Sequence, residues 1–295
     1  MYDKSLRTMT YVPGYKTKYL DKAIGFESDA LILDLEDSVP LEYKEQSRKN
    51  IKEYLEKSAF NQQIFIRINS IDSGMLFEDL KWTIHENVDG YILTKPLDDK
   101  DIIYFDRLLT QLELENNFEE GKYLICPLIE TGSAVLKAYD IAIASPRIIG
   151  LAFGGEDYLT DLDGLHKEHG NSLIVPRSLV VIAARTAKIE ALDTPYLDIR
   201  NLEGFQKEVE LARELGFSGT QVLHPDQIRI ANSIFTPSDE EINEANRIIE
   251  AIKQSGEQGL GVTLLDGKLI GPPMHKRAET LLRKVEKIKK SESNK

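Results

Sequence analysis

Three carboxylates end an apolar run near the start of the chain, in the stretch LILDLEDSV. Asp34, Glu36 and Asp37 lie so close together that their like charges repel unless a cation sits among them. Two further acidic residues follow later apolar runs, Glu130 after PLI and Asp157 in GGEDY. No His or Cys residues have the spacing of zinc ligands. An all-oxygen set suits Mg²⁺, which one or two carboxylates hold while water and substrate oxygens complete the octahedron.

An arginine lies inside another apolar run, IFIRIN, where Arg67 and Asn69 share one face of a strand by period-two alternation. Beside a metal site, the guanidinium of Arg67 would grip a substrate carboxylate through two hydrogen bonds. A metal and an arginine together suit chemistry that builds negative charge on oxygen, such as an enolate. The structural alternative is an ion pair between Arg67 and Asp34 or Glu36.

The other candidate residues also have structural alternatives. Asp37 could cap the helix that follows DSVP rather than serve a metal. Lys95 precedes Pro96 at the end of GYILTK and could be solvated, and His224 could be a core or turn histidine. Glu130 is harder to explain in this way, because glutamate is a poor turn residue, and a functional role is favoured for it.

Eight β-rich runs alternate with helical patterns, and these elements must position the polar residues. The runs are mostly apolar on both faces, which is typical of a parallel sheet covered by helices. Their count and length predict a (β/α)8 TIM barrel, with an open doubly wound sheet as the alternative; no G-x-G-x-x-G motif supports a dinucleotide site. In a TIM barrel the strand ends that carry these residues meet at one mouth. The predicted strands span 8–12, 30–36, 64–69, 90–95, 123–130, 148–153, 191–196 and 219–223.

The chain after the eighth strand predicts an extension rather than a separate fold. We place a TIM-barrel catalytic domain at 1–235 and a helical and hairpin extension at 236–295, which packs on the barrel or on a neighbouring subunit. Ser238 followed by Glu241 is a capping-box signature for the first helix of this extension.

Composition excludes some classes of partner. The formal net charge of the 295 residues is -12, which disfavours nucleic acid and anionic membranes. No stretch is long and apolar enough for a transmembrane helix, and the N-terminal segment has no apolar core of a signal peptide. The single cysteine, Cys126, permits no intrachain disulfide. We therefore expect a cytoplasmic protein that binds a small molecule.

The motifs together resemble those of the HpcH/HpaI aldolase superfamily, in particular citrate lyase beta subunits. The matching segments include YVPGY, DALILDLEDSV, IRIN, TKP, PLIETGSAVLKAYDIAIASPRIIGLAFGGEDY, ARELGFSGTQVLHPDQI, FTPSDEE and GVTLLDGKLI. They occur in order over nearly the whole chain. Each segment is weak by itself, but the ordered set is specific.

The resemblance implies a TIM barrel with Mg²⁺ in its mouth, commonly as a homotrimer. In that family the glutamate of IET and the aspartate of ED bind the metal, here Glu130 and Asp157. The DLED carboxylates, here Glu36 and Asp37, hold metal-bound water and count with Arg67 as catalytic residues.

The resemblance also implies a substrate and a reaction. Arg67 and Lys44 would contact the substrate acid, while His224 and Pro225 would lie near a thioester carried by CoA or an acyl carrier protein. The implied reaction cleaves or forms the C–C bond of a citryl, citramalyl or malyl thioester, giving an acetyl thioester and a 2-keto acid. Other citrate lyase subunits are then expected partners.

One departure from the family pattern leaves alternatives open. Many relatives end in a segment like G-[KRQ]-M-[IV]-D-x-P, whose aspartate handles the enolate proton in a neighbouring subunit's site. Here the segment is GKLIGPP, and Gly271 stands where that aspartate would be. Asp266 or His275 could substitute. The alternatives are an aldolase acting on free 2-keto acids, or a keto-acid-binding subunit with reduced turnover.

Overall fold

The structure, a computed structural model, describes residues 2–165, 171–257 and 261–293. The chain forms two compact units. The first comprises residues 1–2 and 6–233, and the second comprises residues 3–5 and 234–295. Among the described residues, no helix is long and apolar enough to cross a membrane.

The first unit is a closed barrel of eight parallel strands in sequence order, so the predicted TIM barrel is confirmed. The last strand pairs with the first, which leaves no sheet edge unpaired. All eight predicted runs form strands, and most end earlier than predicted because the polar residues at their ends lie in loops. The strands are β1 Thr8–Pro13, β2 Ala30–Asp34, β3 Gln63–Ile68, β4 Gly90–Leu93, β5 Leu124–Ile129, β6 Gly150–Phe153, β7 Glu190–Asp193 and β8 Gly219–Val222.

The barrel interior is filled by apolar side chains from alternate strand positions. Ile32 of β2, Phe65 of β3, Ile92 of β4 and Leu128 of β5 all belong to this buried cluster. Because side chains alternate between the two faces of a strand, the residues two positions further on also point inward, one layer nearer the carboxyl ends of the strands. We call that end of the barrel the mouth. The apolar core therefore forms the floor on which the polar residues of the mouth lie.

Helices cover the outside of the barrel and connect successive strands. The segment TGSAVLKAYDIAIAS forms two short helices because Lys137 between them leaves the helical conformation, with ψ of 13°. The helices up to the end of this unit are α1 Thr17–Ala23, α2 Lys44–Lys57, α3 Leu76–Thr83, α4 Asp99–Glu115, α5 Gly132–Leu136, α6 Ala138–Ile143, α7 Gly155–Asp161, α8 Asn171–Ala187, α9 Leu202–Leu215 and α10 Pro225–Phe235.

The second unit contains two long helices and a hairpin. The capping box is present: Ser238 Oγ accepts from Glu241 N, and Glu241 Oε2 accepts from Ser238 N. An ion pair of 2.7 Å joins Arg247 to Asp266 in the hairpin turn. The elements are α11 Asp239–Glu257, β9 Thr263–Leu265, β10 Lys268–Ile270 and α12 Pro272–Ser293.

Candidate active site

A buried ion pair forms the base of the mouth. Asp34 and Arg67 are register partners at the ends of β2 and β3. Arg67 Nε donates to Asp34 Oδ1 at 2.7 Å, and Arg67 Nη2 donates to Asp34 Oδ2 at 2.6 Å. The guanidinium also lies 4.7 Å above the ring of Tyr11 from β1. The predicted ion pair between Arg67 and Asp34 is therefore present.

Asp34 also organises the loop that carries the other two carboxylates. Its side chain accepts hydrogen bonds from the backbone N–H groups of Glu36 and Ser38. Asp34, rather than Asp37, thus caps the turn, and Asp37 is left exposed. Burial alone would raise the pKa of Asp34, but the charge and hydrogen bonds of Arg67 outweigh burial and hold that pKa below its usual value.

Glu36 lies buried between two cations. Its Oε1 accepts from Lys95 Nζ at 3.0 Å, and its Oε2 lies 3.0 Å from Arg67 Nη1 without forming a hydrogen bond. Burial raises the pKa of Glu36 above its ordinary value despite both cations. A buried carboxylate oxygen without a hydrogen bond is unusual, because such groups are normally satisfied. Within the described residues, Oε2 of Glu36 thus has an ion-pair contact with Arg67 but no hydrogen bond.

Glu130 follows β5 and is only 1% exposed. Its Oε1 accepts from the backbone N–H of Lys95 at 2.8 Å. Burial raises the pKa of Glu130 well above its usual range, and the nearby charges of Asp157 and Glu36 raise it further. Gly154 allows this position, because a Cβ there would lie 2.6 Å from the Cβ of Glu130. The glycine before GEDY thus makes room for the glutamate.

Asp157 lies in the first turn of α7 and completes the acidic group. Its Oδ1 is 3.6 Å from Lys95 Nζ, and its side chain is 38% exposed. No three His, Cys, Asp or Glu residues cluster closely enough for a metal in the parts of the chain that are described. A site with two carboxylates, Glu130 and Asp157, still fits Mg²⁺, because this ion keeps several waters and takes oxygens from its substrate.

The negative charge of Asp157 raises the pKa of Glu130, so these two carboxylates lie close to each other. Oε2 of Glu36 has no hydrogen bond among the described residues. Both observations support Glu130 and Asp157 as the metal-binding pair. A dication beside them would relieve the burial of negative charge that raises both glutamate pKa values. The donors are all oxygens, as Mg²⁺ prefers.

The predicted thioester-side residues lie at the start of α10. His224 follows β8 at the mouth, and Pro225 is the first residue of the helix. Nδ1 of His224 accepts weakly from Asp226 N at 3.3 Å, and the imidazole is 42% exposed. Gln227 holds the turn by accepting from the N–H groups of Leu223 and His224. The position is open to a ligand, and its role near a thioester stays a prediction.

Comparison of the sequence with known proteins assigns the chain to one family. The sequence model of the HpcH/HpaI aldolase/citrate lyase family matches residues 7–225. The chain belongs to this family. The citrate lyase subunit beta of Haemophilus influenzae is 33% identical over 283 residues, which is 96% of this chain and 97% of that one. A (3S)-malyl-CoA thioesterase of Cereibacter sphaeroides is 31% identical over 265 residues, 90% of this chain and 89% of that one.

Solved structures of the family show the same barrel. The protein CitE of Mycobacterium tuberculosis, in complex with magnesium, acetoacetate and coenzyme A, superposes with a TM-score of 0.79 at 25% identity, covering 97% of this chain and all of that one. The citrate lyase beta subunit of the same organism, in complex with oxaloacetate and magnesium, gives a TM-score of 0.66 at 25% identity, covering 79% and 98%.

Lys44, which the family pattern predicts to contact the substrate acid, is hydrogen-bonded to oxygens of the chain itself. Its ammonium donates to the carbonyl oxygens of Leu35 and Glu36 at 2.6 and 2.8 Å, and to Asn69 Oδ1 at 2.8 Å. An ammonium has three donors, so all three are used within the protein. Lys44 therefore holds the β2–α2 loop in place, and a direct contact between Lys44 and substrate stays a prediction.

Replacing Lys44 by methionine tests these two roles. We expect the free energy of unfolding to fall by about 2–4 kcal/mol, because three buried acceptors lose a charged donor. Denaturant titration of the metal-free protein measures this loss. A variant of normal stability that has lost only affinity for the keto acid would show instead that Lys44 serves the substrate.

Lys95 is the mouth residue that sequence reasoning named but left without a role. It touches Glu36 and Asp157 through its ammonium and Glu130 through its backbone N–H. The signal was the TKP segment within the family pattern, but a lysine before a proline has no chemistry that spacing alone reveals. Its importance comes from the barrel geometry, which brings the ends of four strands together.

Proposed function

We propose that the protein is a magnesium-dependent carbon–carbon lyase that cleaves or forms a 3-hydroxyacyl thioester of the citryl, citramalyl or malyl type. The carrying observation is the acidic group Glu36, Glu130 and Asp157 beside Arg67 at the mouth of a barrel of this family. The products of cleavage would be an acetyl thioester and a 2-keto acid. CoA or an acyl carrier protein would carry the acyl group.

Different residues of the chain would bind the metal ion, the substrate carboxylate, water and the acyl carrier. Glu130 and Asp157 would hold the magnesium ion, and the ion supplies Lewis acidity toward a substrate carbonyl when bound. Nε and Nη2 of Arg67 bond to Asp34, so Nη1, which lies 3.0 Å from Glu36 Oε2, is the nitrogen that would contact the substrate carboxylate. Glu36 and Asp37 orient water at the rim of the site. His224 and Pro225 border the acyl carrier.

Bond changes in cleavage follow from this arrangement. The substrate hydroxyl gives its proton to water in the site, and the bond between the hydroxyl-bearing carbon and the carbon alpha to the thioester breaks. The hydroxyl-bearing carbon becomes the carbonyl of the 2-keto acid, and the electrons of the broken bond pass to the thioester as an enolate. The alpha carbon then takes a proton from water to give the acetyl thioester, so no proton is gained or lost overall. The relatives' citrate lyase descriptions and the complexes with magnesium, keto acids and coenzyme A support the proposal.

A panel of citryl, citramalyl and malyl thioesters, each with CoA, tests the reaction. We expect one of them to release a 2-keto acid, with activity lost in EDTA and restored by Mg²⁺. Release of the free hydroxy acid and thiol, without keto acid, would instead identify a thioesterase, as one relative is described. Turnover of 2-keto acids with aldehydes, in the absence of thioester, would favour the aldolase alternative.

Gly271 stands where many relatives have the aspartate that handles the enolate proton, and this is the reason to consider a keto-acid-binding subunit with reduced turnover. It directly precedes α12, and its carbonyl accepts from Met274 N and His275 N. The position suits an N-cap residue, and an added Cβ would lie 3.1 Å from Val262 Cγ1, a contact that a small side-chain shift relieves.

Replacing Gly271 by aspartate should therefore be tolerated, and we expect kcat to rise at least tenfold on the preferred thioester. A positioned proton-transfer group typically contributes about 10²–10⁴-fold. The matched control is Gly271→Asn, which has the same shape and capping ability but transfers no proton. An equal gain with asparagine would attribute the effect to helix capping, and unchanged kcat in both would exclude this position from proton transfer.

A further inference from the structure

One residue, Lys95, contacts all three carboxylates of the acidic group at the mouth, Glu36, Glu130 and Asp157. Lys95 Nζ lies 3.0 Å from Glu36 Oε1 and 3.6 Å from Asp157 Oδ1. The backbone N–H of the same residue donates to Glu130 Oε1 at 2.8 Å. These three partners come from the ends of β2, β5 and β6, while Lys95 follows β4. Lys95 thus connects carboxylates that come from three different strand ends.

The backbone at Lys95 is bent to make these contacts. Its φ is +53°, in the left-handed region that residues other than glycine rarely adopt. The following Pro96 further restricts the conformations open to this residue. Strained backbone of this kind persists where the surroundings over-determine it, commonly at ligand sites. Here the strain lets the amide reach Glu130 while the side chain reaches Glu36 and Asp157.

The other cations described at the mouth are already committed. Lys44 uses its three donors on loop and strand oxygens, and Arg67 forms a bidentate pair with Asp34. Arg67 also lies 3.0 Å from Glu36, but its side chain is only 10% exposed. Lys95 differs, because its ammonium contacts two carboxylates of the acidic group, Glu36 and Asp157, and its side chain is 38% exposed. A lysine ammonium carries a positive charge at neutral pH, so its contacts with Glu36 and Asp157 are ion pairs.

We propose that Lys95 is a tethered cation that holds the metal site when no metal is bound and must withdraw from Asp157 when a divalent ion enters. This inference rests on the metal site of the proposed function, and it makes Lys95 a residue that sets the affinity of that site for Mg²⁺. An ammonium 3.6 Å from a ligand oxygen of Asp157 cannot stay there beside a dication, because the two positive charges repel. Binding of the ion therefore includes the cost of breaking the lysine's contact with Asp157.

Isothermal titration of the metal-free protein with Mg²⁺, in the absence of any thioester, tests the first consequence. We expect Lys95→Met to bind Mg²⁺ roughly fivefold more tightly than wild type, the factor that corresponds to about 1 kcal/mol of ion-pair free energy. The matched control is Lys57→Met, which removes the same charge from an exposed lysine that pairs with Glu53 on α2. Its Mg²⁺ affinity should equal that of wild type.

Weaker or unchanged Mg²⁺ binding in Lys95→Met would overturn the inference, since the lysine would then support the site or be indifferent to it. If the methionine variant does not fold, Lys95→Gly removes the same ammonium while relaxing the left-handed backbone. Absence of Mg²⁺ binding by the wild type would overturn the metal site of the proposed function itself, which is a different result from equal binding by wild type and variant.

The wild-type protein offers a second readout. Because Mg²⁺ displaces the ammonium, acylation of Lys95 by an amine-selective reagent should become faster when Mg²⁺ is added, as measured by mass spectrometry of the labelled peptide. Labelling of Lys57 in the same sample serves as the internal reference. Equal labelling of Lys95 with and without Mg²⁺ would overturn the displacement step.

Discussion

Glu130→Gln is expected to lower kcat for thioester cleavage by about a thousandfold while leaving the fold intact. Glutamine has the same shape and can still accept from Lys95 N through its carbonyl oxygen. It lacks the negative charge that would hold the metal ion. Loss of a group that stabilises developing negative charge, here the ion, costs about 10²–10³ in kcat. Initial rates of keto-acid release, at saturating Mg²⁺, measure the effect. Full activity in this variant would remove Glu130 from the metal site.

Glu130→Gln should raise the stability of the metal-free protein although it lowers activity. Burial raises the pKa of Glu130 well above its ordinary value, so the folded protein holds this proton more tightly than the unfolded chain. The metal-free protein therefore loses stability as pH rises from about 4.3, the unfolded value, toward the raised pKa. Glutamine abolishes this loss, and we expect a higher Tm than wild type at neutral pH without metal. Glu36 contributes a loss of the same sign, so the pH dependence is reduced in the variant rather than abolished.

Addition of Mg²⁺ should reverse the order of the two Tm values. An ion at a hundred times its Kd stabilises a protein by about 2.7 kcal/mol, and wild type alone would gain it. The control is Glu113→Gln on α4, another buried glutamate that accepts from Gly121 N, Tyr123 N and Arg147. Neutralising Glu113 should lower Tm strongly and leave the Mg²⁺ effect unchanged. A lower Tm for metal-free Glu130→Gln would contradict the sign argued for the buried charge.

The fold was largely predictable because strand burial repeats eight times in the sequence. Most of the runs are apolar on both faces, which is typical of a parallel sheet between a core and a helical layer. Strand ends were less predictable. Thr194 and Tyr196 continue the β-rich composition after β7 ends at Asp193, so composition alone placed the end of this strand too late. Closure of the barrel depends on pairing of β1 with β8, a contact between distant segments that no local pattern encodes.

The sequence predicts which residues lie together at the mouth, but it does not predict which of their hydrogen-bonding groups are already used within the chain. Period-two alternation placed Asp34 and Arg67 on one face, and the structure pairs them. The engagement of all three Lys44 donors depends on the loop path between β2 and α2, and spacing does not determine that path. The left-handed backbone of Lys95 depends on the carboxylates it contacts from other strands. The residues that meet at the mouth thus follow from strand alternation, while the way in which they share their hydrogen bonds depends on loop paths and on other strands.

Arg67→Lys is expected to lower the free energy of unfolding by about 3 kcal/mol and the affinity for a 2-keto acid by at least tenfold. A lysine has one ammonium and cannot replace the bidentate contact with Asp34, so a buried carboxylate is left incompletely paired. The same change removes the Nη1 group that faces Glu36 and the substrate side. Urea titration measures stability, and calorimetry with oxaloacetate or pyruvate in the presence of Mg²⁺ measures affinity.

A double replacement separates the structural role of Arg67 from its role toward substrate. Asp34→Asn combined with Arg67→Met removes both buried charges, so we expect more stability than in Arg67→Met alone, where the Asp34 carboxylate remains unpaired. Affinity for the keto acid should stay low in the double variant, because the guanidinium that grips the carboxylate is still missing. Recovery of affinity together with stability would show that Arg67 acts only as the partner of Asp34. A stable double variant that binds no keto acid assigns the guanidinium to the substrate, and leaves Asp34 as the residue that fixes its orientation.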